Sequence, residues 1–420
     1  MSLSLSIPED IISAILDQLS PDIDSLKQCS LVSRSFLPHC QKLLFSDICL
    51  DHPTRSRRLY HFITNNPSFI PYIRRINIIS IFRGPSRDDP EWMTCEDTLA
   101  PLLQTLHNLH AFGLINQPLR PLPWHKLPAD LRSTILNLSV PSITLDNVAN
   151  VPIGLFGRFV RLKNLKLMRM KSDPGHPLDL GPLASLSSPQ GPTGYLESLV
   201  ISGSPMCGRH LITTLTDPRS SLKLSRLKHL ELFWDNGFAG TIMEAAGQSL
   251  QRVVWKYFGA ESNYYPTPFT RFPSSFSALP ALRFLTIHTQ FARGRACDPL
   301  PPLAQALAGA TPRDACALEH LKVDINLRGI SKGMALTPSN VNTVDKYTFW
   351  PALDQALARP GVYTKLKRVE IGLLCSGARE AFAGLSKRRM PMLVAKGVLY
   401  MEFKTSSRPC KWSPSPRFVY

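Results

Sequence analysis

Along most of the chain the apolar residues recur as apolar-x-x-apolar-x-apolar. The pattern appears at Ile73-Ile76-Ile78, Leu109-Phe112-Leu114, Ile135-Leu138-Val140, Leu162-Leu165-Leu167 and Leu196-Leu199-Ile201. It continues at Leu227-Leu230-Leu232, Leu250-Val253-Trp255, Leu282-Leu285-Ile287, Leu318-Leu321-Val323 and Leu366-Val369-Ile371. The last two apolar positions of each unit are two residues apart, which is the period of a strand buried on one face and open on the other. Spacings between successive units run from 23 to 48 residues, so insertions of different length separate them. Between the strands, residues 96–106, 300–307 and 350–358 carry helical periodicity and predict an outer layer.

The first fifty residues follow a different rhythm. Ile7, Ile11, Ile15 and Leu19 fall at steps of four, with Ile12 and Leu16 beside them, giving one helix a wide apolar stripe. Ser6 and Glu9 are spaced as a capping box, and Pro8 suits a first turn that lacks an intrahelical partner for its missing N–H. Pro21 ends that helix. Asp24 is the expected cap of a second helix carrying Leu26, Cys29, Val32 and Phe36, and Pro38 opens a third that ends near Leu43, Leu44 and Phe45. Three short helices of this size bury too little surface to be stable alone, so their apolar residues either meet a partner or pack as a cap on the rest of the chain.

Length and charge narrow the classes. With 420 residues and 44% hydrophobic content the chain can bury a large core, and no apolar run reaches the length of a membrane span. Glu9-Asp10 interrupts the N-terminal apolar residues and no basic stretch precedes them, which argues against a signal peptide. The nine Cys are scattered without a Cys-x-x-Cys pair and read as reduced thiols, so a cytoplasmic or nuclear location is expected. Residues 1–50 hold Lys27, Arg34 and Lys42 against Glu9, Asp10, Asp17, Asp22, Asp24 and Asp47, a net of −3; the remainder of the +17 chain therefore carries +20. A basic body attracts acidic partners, yet no nucleic-acid-binding signature accompanies it, and nucleic acid is not the expected ligand.

Catalytic signatures are missing. There is no Gly-rich phosphate loop and no Gly-x-Ser-x-Gly elbow. His107 and His110 stand at i, i+3 without a Cys or carboxylate motif, and His39-Cys40 lies inside the helical N-terminal segment. Lys387-Arg388-Arg389 is short for a targeting patch. A non-catalytic protein with no metal and no cofactor is the expectation.

The ordered run Ile7-Pro8, Ile11-Ile12, Ile15-Leu16, Leu26 and Leu31-Val32-Ser33-Arg34 resembles the F-box, the module that docks a Skp-type adaptor and through it a cullin. Phe45 and Phe36 stand where many members carry Trp. The segment from Asp51 to Ile78, with a His-Phe-Ile-Thr-Asn-Asn-Pro helix, resembles the fungal F-box proteins, and the repeats resemble divergent leucine-rich repeats. Regular leucine-rich repeats run about 20–29 residues. Their Asn three residues after the last Leu is met only by Asn326, with Asp235 as a mimic, while Met170, Ser204, Gln290 and Leu374 replace it. The implied fold is α/β: a three-helix F-box over residues 1–50, a linker helix and first strand over 51–80, an irregular leucine-rich-repeat-like solenoid over 81–403 with parallel strands on one face and helices on the other, and a basic tail over 404–420. An ordinary α/β domain with buried strands is the alternative.

The resemblance implies a substrate-recognition subunit of a Skp–cullin–F-box ubiquitin ligase. Ile7, Pro8, Ile11, Ile15, Leu16, Leu19, Leu26, Cys29, Val32 and Phe45 would meet the adaptor. A protein substrate would be read by residues flanking the inward positions of the strands. These are Arg75, Asn77, Lys166, Met168, His229, Glu231, Phe233, Arg252, Lys256, Phe284, His288, His320, Lys322 and Arg368, and the basic excess favours an acidic or phosphorylated ligand. The other open reading is a repeat module for protein or RNA whose N-terminal helices only cap the array.

Overall fold

The computed structural model describes residues 7–20, 22–80, 91–116, 120–172, 192–233, 238–258, 276–290, 300–311, 316–327, 344–374, 382 and 384–404. They form two compact units, one of residues 7–151 and 169–172 and one of residues 152–168 and 192–404. The Ser6 half of the expected capping box, Asp235, most of the loops around residues 83–97, 171–194, 260–277 and 328–342, and the tail beyond 404 lie outside the described residues.

In the first unit three helices lead: α1 (Glu9–Gln18), α2 (Ile23–Val32) and α3 (Leu37–Leu44). Asp22, two residues before the expected Asp24, caps α2, its carboxylate accepting from the Asp24 and Ser25 backbone N–H groups at 3.2 and 3.1 Å. Asp24 instead lies inside the first turn, where its charge suits the helix dipole. Phe36 is the N-cap of α3 and not a member of α2, because the chain turns extended at Ser33. Ile12, Leu16, Leu26 and Cys40 make a small core, with Leu19, Cys29, Phe36, Leu43 and Leu44 packed around it.

The chain then forms β1 (Asp47–Leu50), α4 (Pro53–Asn65), a 3-10 segment at Pro67–Tyr72 and β2 (Arg75–Ser80). Next come α5 (Leu99–Thr105), β3 (Ala111–Asn116), the short β4 (Leu122–Pro123), α6 (Ala129–Leu136), β5 (Ser142–Asp146) and the short β6 (Val148–Ala149). β1, β2, β3 and β5 run parallel in consecutive order. Their register stacks Ile48, Ile76, Phe112 and Ile143 in one row and Leu50, Ile78, Leu114 and Leu145 in the next. Two corrections follow. β1 carries the repeat (Phe45, Ile48, Leu50) within the segment read as the end of the F-box. The unit at Ile135-Leu138-Val140 is misplaced: Ile135 belongs to α6, and the true unit is Val140, Ile143 and Leu145.

Polar residues close the ends of these strands. Asn116 and Asn147 both donate their side-chain amides to the Arg120 carbonyl, at 2.6 and 2.9 Å. They stand two residues after the last apolar position, not three, so the asparagine pairing sought elsewhere occurs here in a shifted place. Asn147 and Asn150 adopt left-handed backbone, φ 56° and 57°, which Asn tolerates better than most residues. Arg169, φ 51°, grips the buried Asp146 with two hydrogen bonds.

The second unit holds a 3-10 segment at Ile153–Arg158, β7 (Asn164–Met168), the short β8 (Gly194–Tyr195), β9 (Ser198–Ser202), α7 (Pro205–Thr216) and the short β10 (Leu222–Lys223). It continues with β11 (His229–Phe233), α8 (Ala239–Ala246), β12 (Arg252–Phe258), β13 (Phe284–Gln290) and α9 (Pro301–Ala308). It closes with β14 (His320–Asn326), α10 (Phe349–Ala358), β15 (Arg368–Leu374), α11 (Leu385–Arg389), α12 (Pro391–Ala395) and β16 (Leu399–Lys404). The long strands pair in parallel from β7 through β9 and β11 to β16. One row runs Leu165, Leu199, Leu230, Val253, Leu285, Leu321, Val369, Leu399; the next runs Leu167, Ile201, Leu232, Trp255, Ile287, Val323, Ile371, Met401. The first seven members of each row are buried, and each contributes about 1.5–3 kcal/mol by leaving water. The helices expected at residues 96–106, 300–307 and 350–358 are present as α5, α9 and α10. The described chain is mixed α/β, and its parallel strands with helical returns resemble a leucine-rich-repeat array.

Buried polar groups tie the helices down. The Asp354 carboxylate, on α10, accepts from the backbone N–H groups of Met392 and Leu393 at 3.0 and 2.8 Å and so caps the start of α12. The Tyr363 hydroxyl donates to the Leu307 carbonyl at 2.6 Å, closing the end of α9.

Gly113 shows how closely the strands constrain one another. A Cβ there would lie 2.2 Å from Asn77 Oδ1 on the neighbouring strand, and Asn77 in turn donates to Asp47 at 3.3 Å. Gly113→Ala is expected to destabilise the protein by about 1–3 kcal/mol through overpacking. Urea denaturation checks this, and adding Asn77→Ala, which removes the clashing amide, restores part of the loss.

Candidate functional site

The first candidate surface is the N-terminal module. Periodicity splits α1 into two faces. Ile12 and Leu16 (1% exposed) turn into the small core, while Ile11 and Ile15 remain 48% and 50% exposed, and Ile7 is exposed as well. At the end of α2, Leu31 and Val32 are 82% and 73% exposed. The residues expected to meet an adaptor therefore divide. Ile7, Pro8, Ile11, Ile15 and Val32 face outward; Leu16 and Leu26 are buried in the module; Leu19 and Cys29 are partly buried against its core. Phe45 is half-buried, stacks on Phe62 (5.4 Å, 6° between planes) and meets Phe69 at a tilt (4.9 Å, 59°), joining the module to the linker helix that follows. The outward Leu31 was not among the expected contacts, although its place beside Val32 was visible in the sequence.

His39 connects two helices of the module. Its Nδ1 lies 3.0 Å from Ser13 Oγ and its Nε2 3.2 Å from Glu9 Oε1. A neutral imidazole satisfies both contacts, with the Ser13 hydroxyl donating to Nδ1 and Nε2–H donating to Glu9.

The second candidate surface is the outward side of the strands. In the first unit, Arg75 pairs with Asp47 across β1 and β2 at 3.0 Å, and Asn77 shares that carboxylate. In the second unit, register brings Ser198, His229, Arg252, Phe284, His320 and Arg368 into one row. The Arg252 guanidinium lies 5.0 Å from the Phe284 ring centre, and Phe284 stacks on His320 at 5.1 Å with 7° between planes. Arg368 covers Tyr400 at 4.5 Å, and Lys256 covers Phe233 at 4.0 Å. Lys166 is half-buried on β7, and Met168 is buried, so Met168 does not reach the open side.

Carboxylates on the same or an adjacent strand lie against most of these side chains. Lys256 pairs with Glu231 at 2.7 Å, Lys322 with Glu370 at 3.3 Å, Arg368 with Glu370 at 2.5 Å and His288 with Asp324 at 3.1 Å. Just before the strands a second row alternates in sign. Glu197 lies between Lys163 and Lys228 (3.2 and 3.0 Å), and Glu319 between Arg283 and Lys367 (2.5 and 2.8 Å). Asp324, Glu370, Glu197 and Glu319 are not among the residues expected on this face, yet aligning the repeats on their apolar positions places each beside a basic residue. Further along, Arg388 and Arg389 of the short basic run both pair with Asp345, at 3.1 and 3.0 Å.

The Arg283 guanidinium, with the Lys367 ammonium, holds the Glu319 carboxyl down to about 2. Lys228, then Lys163, lowers Glu197 in the same way. A carboxylate whose pKa is depressed on folding adds stability above the ordinary glutamate value, and that stability is lost as pH falls toward the folded value. The Glu319 contribution is thus present above about pH 4.5 and disappears between there and about 2. Urea denaturation from neutrality down through that interval is expected to show Glu319→Gln less stable than wild type near neutrality, with the difference closing as the medium is acidified. A constant difference would contradict the assignment.

Comparison with known proteins adds little to this geometry. No protein family matches the sequence, and no curated protein does either. Among solved structures, an internalin from Listeria monocytogenes is similar with a TM-score of 0.29 and 11% identity, over 85% of this chain and 95% of that one. A TM-score of that size does not establish a common fold, and the architecture rests on the strand pairing described above.

Proposed function

We propose that this chain is a non-catalytic substrate-recognition subunit of a Skp–cullin–F-box ubiquitin ligase, of the fungal type. The observation that carries the reading is the outward apolar set Ile7, Ile11, Ile15, Leu31 and Val32, displayed by short helices whose other faces already close a core. Exposed apolar residues clustered on a small module mark an interaction site. Their order along the chain belongs to the run Ile7-Pro8, Ile11-Ile12, Ile15-Leu16 and Leu31-Val32-Ser33-Arg34 that resembles the F-box. Bound there, the chain would join a cullin through the adaptor, and the open strand faces would hold a protein substrate near the ubiquitin-conjugating enzyme. The rate would then come from proximity rather than from chemistry on this chain.

The internal division of the module sharpens the test. Ile11→Ala with Ile15→Ala removes outward side chains without touching Ile12 or Leu16. Truncation at the centre of an interface costs about 2–4 kcal/mol, roughly a 30- to 1000-fold loss of affinity. Co-expression with a Skp-type adaptor, followed by calorimetry of the purified pair, is expected to show that loss with an unchanged circular dichroism spectrum. A chain that never associates with the adaptor, or a double variant that binds as wild type, would overturn the reading.

A further inference from the structure

Between β11 and β15, one outward cation has no counter-charge among the described residues. From β11 to β15 the other outward Lys and Arg side chains, Lys256, Lys322 and Arg368, each have a carboxylate within ion-pair distance. Arg252 is exposed and has none among the described residues. Its guanidinium is nevertheless held in place: it lies 5.0 Å from the centre of the Phe284 ring, which is itself stacked on His320. An arginine lying against an aromatic ring keeps its N–H donors free for a ligand while losing part of its rotamer freedom in advance.

The neighbouring strand supplies a second incomplete group. His229 is the direct register partner of Arg252 on β11, and Ser198 is its register partner on β9. Ser198 Oγ lies 3.4 Å from His229 Nδ1, while Nε2 is shielded from water and has no hydrogen-bond partner among the described residues. A shielded ring nitrogen without a partner is destabilising. Strands are about 4.8 Å apart, so an oxyanion held by Arg252 lies beside the His229 ring. Glu231, on the same strand, is occupied by Lys256.

We propose that Arg252, with His229 and Ser198 beside it, is the subsite for a single anionic side chain, carboxylate or phosphate, of a protein ligand. The inference rests on the reading that the open strand face takes the substrate, and it narrows that reading. A generally basic face is replaced by one anion-binding point beside Lys256, Lys322 and Arg368, each of which is paired with a carboxylate. Phe284 and His320 would flank the anion with a flat, half-buried platform.

The test uses the full chain with isotope-labelled histidine, the His229 resonance being assigned from a His229→Asn variant. Its ring signals are followed against pH in sodium chloride, inorganic phosphate or acetate at equal ionic strength. Burial of His229 and, to a smaller degree, the Arg252 cation disfavour the charged imidazole in the free protein, although Glu231 opposes this. An anion on Arg252 is expected to raise the His229 titration midpoint saturably. Arg252→Gln should weaken the response about tenfold or more, as for loss of a charge-assisted hydrogen bond, and Lys322→Gln should leave it unchanged. A response to phosphate well above that to acetate assigns the subsite to a phosphorylated residue; equal responses assign it to Asp or Glu. No response beyond that to chloride, or an equal response in Arg252→Gln, overturns the proposal. Because adaptor binding is not read here, failure leaves the docking role of the helices standing, and loss of adaptor binding leaves this subsite standing.

Discussion

The parallel register of the strands governs the rest of the structure. Within each unit, the second and third apolar positions of successive strands stack in continuous rows, as Ile76, Phe112 and Ile143 do in the first and Leu230, Val253, Leu285 and Leu321 in the second. Side chains alternate along a strand, so a slip of one residue would turn each buried row to solvent. The same constraint fixes the polar side. Once the leucines are aligned, Glu231 must stand beside Lys256's strand and Glu319 between Arg283 and Lys367. The ion pairs follow from the packing and do not determine it, since exposed pairs contribute little on their own.

The N-terminal helices obey a different balance. Ile12, Leu16, Leu26 and Cys40 are enough to give the module one closed side but not two. The aromatic contacts of Phe45 with Phe62 and Phe69 anchor it to the following segment. Ile7, Ile11, Ile15, Leu31 and Val32 are then left in water, and their burial by a partner would complete what the short helices cannot achieve alone.

Periodicity made most of this legible. Nine of the ten repeats found in the sequence contain a strand at the expected place, because period-two burial leaves a direct trace in the apolar pattern. The exception, Ile135-Leu138-Val140, borrowed a helical Ile from α6. β1 is hidden in the sequence because its leading apolar residue, Phe45, is also the C-cap of α3. β16 lacks the leading apolar residue, because the position three before Leu399 is Lys396. The cap of α2 shifted from Asp24 to Asp22, since both are Asp and only backbone geometry separates them. What the pattern could not convey was pairing across strands. Arg252 and Lys322 look alike in a list of basic residues, and only the register shows that one has a carboxylate neighbour and the other does not.

Hydrogen–deuterium exchange of the full chain, with and without a Skp-type adaptor, tests the central claim most directly. The account predicts new protection in α1 and across Leu31 and Val32, with the strands of the second unit unchanged. Protection confined to the strands, or none at the N-terminal helices, would contradict it.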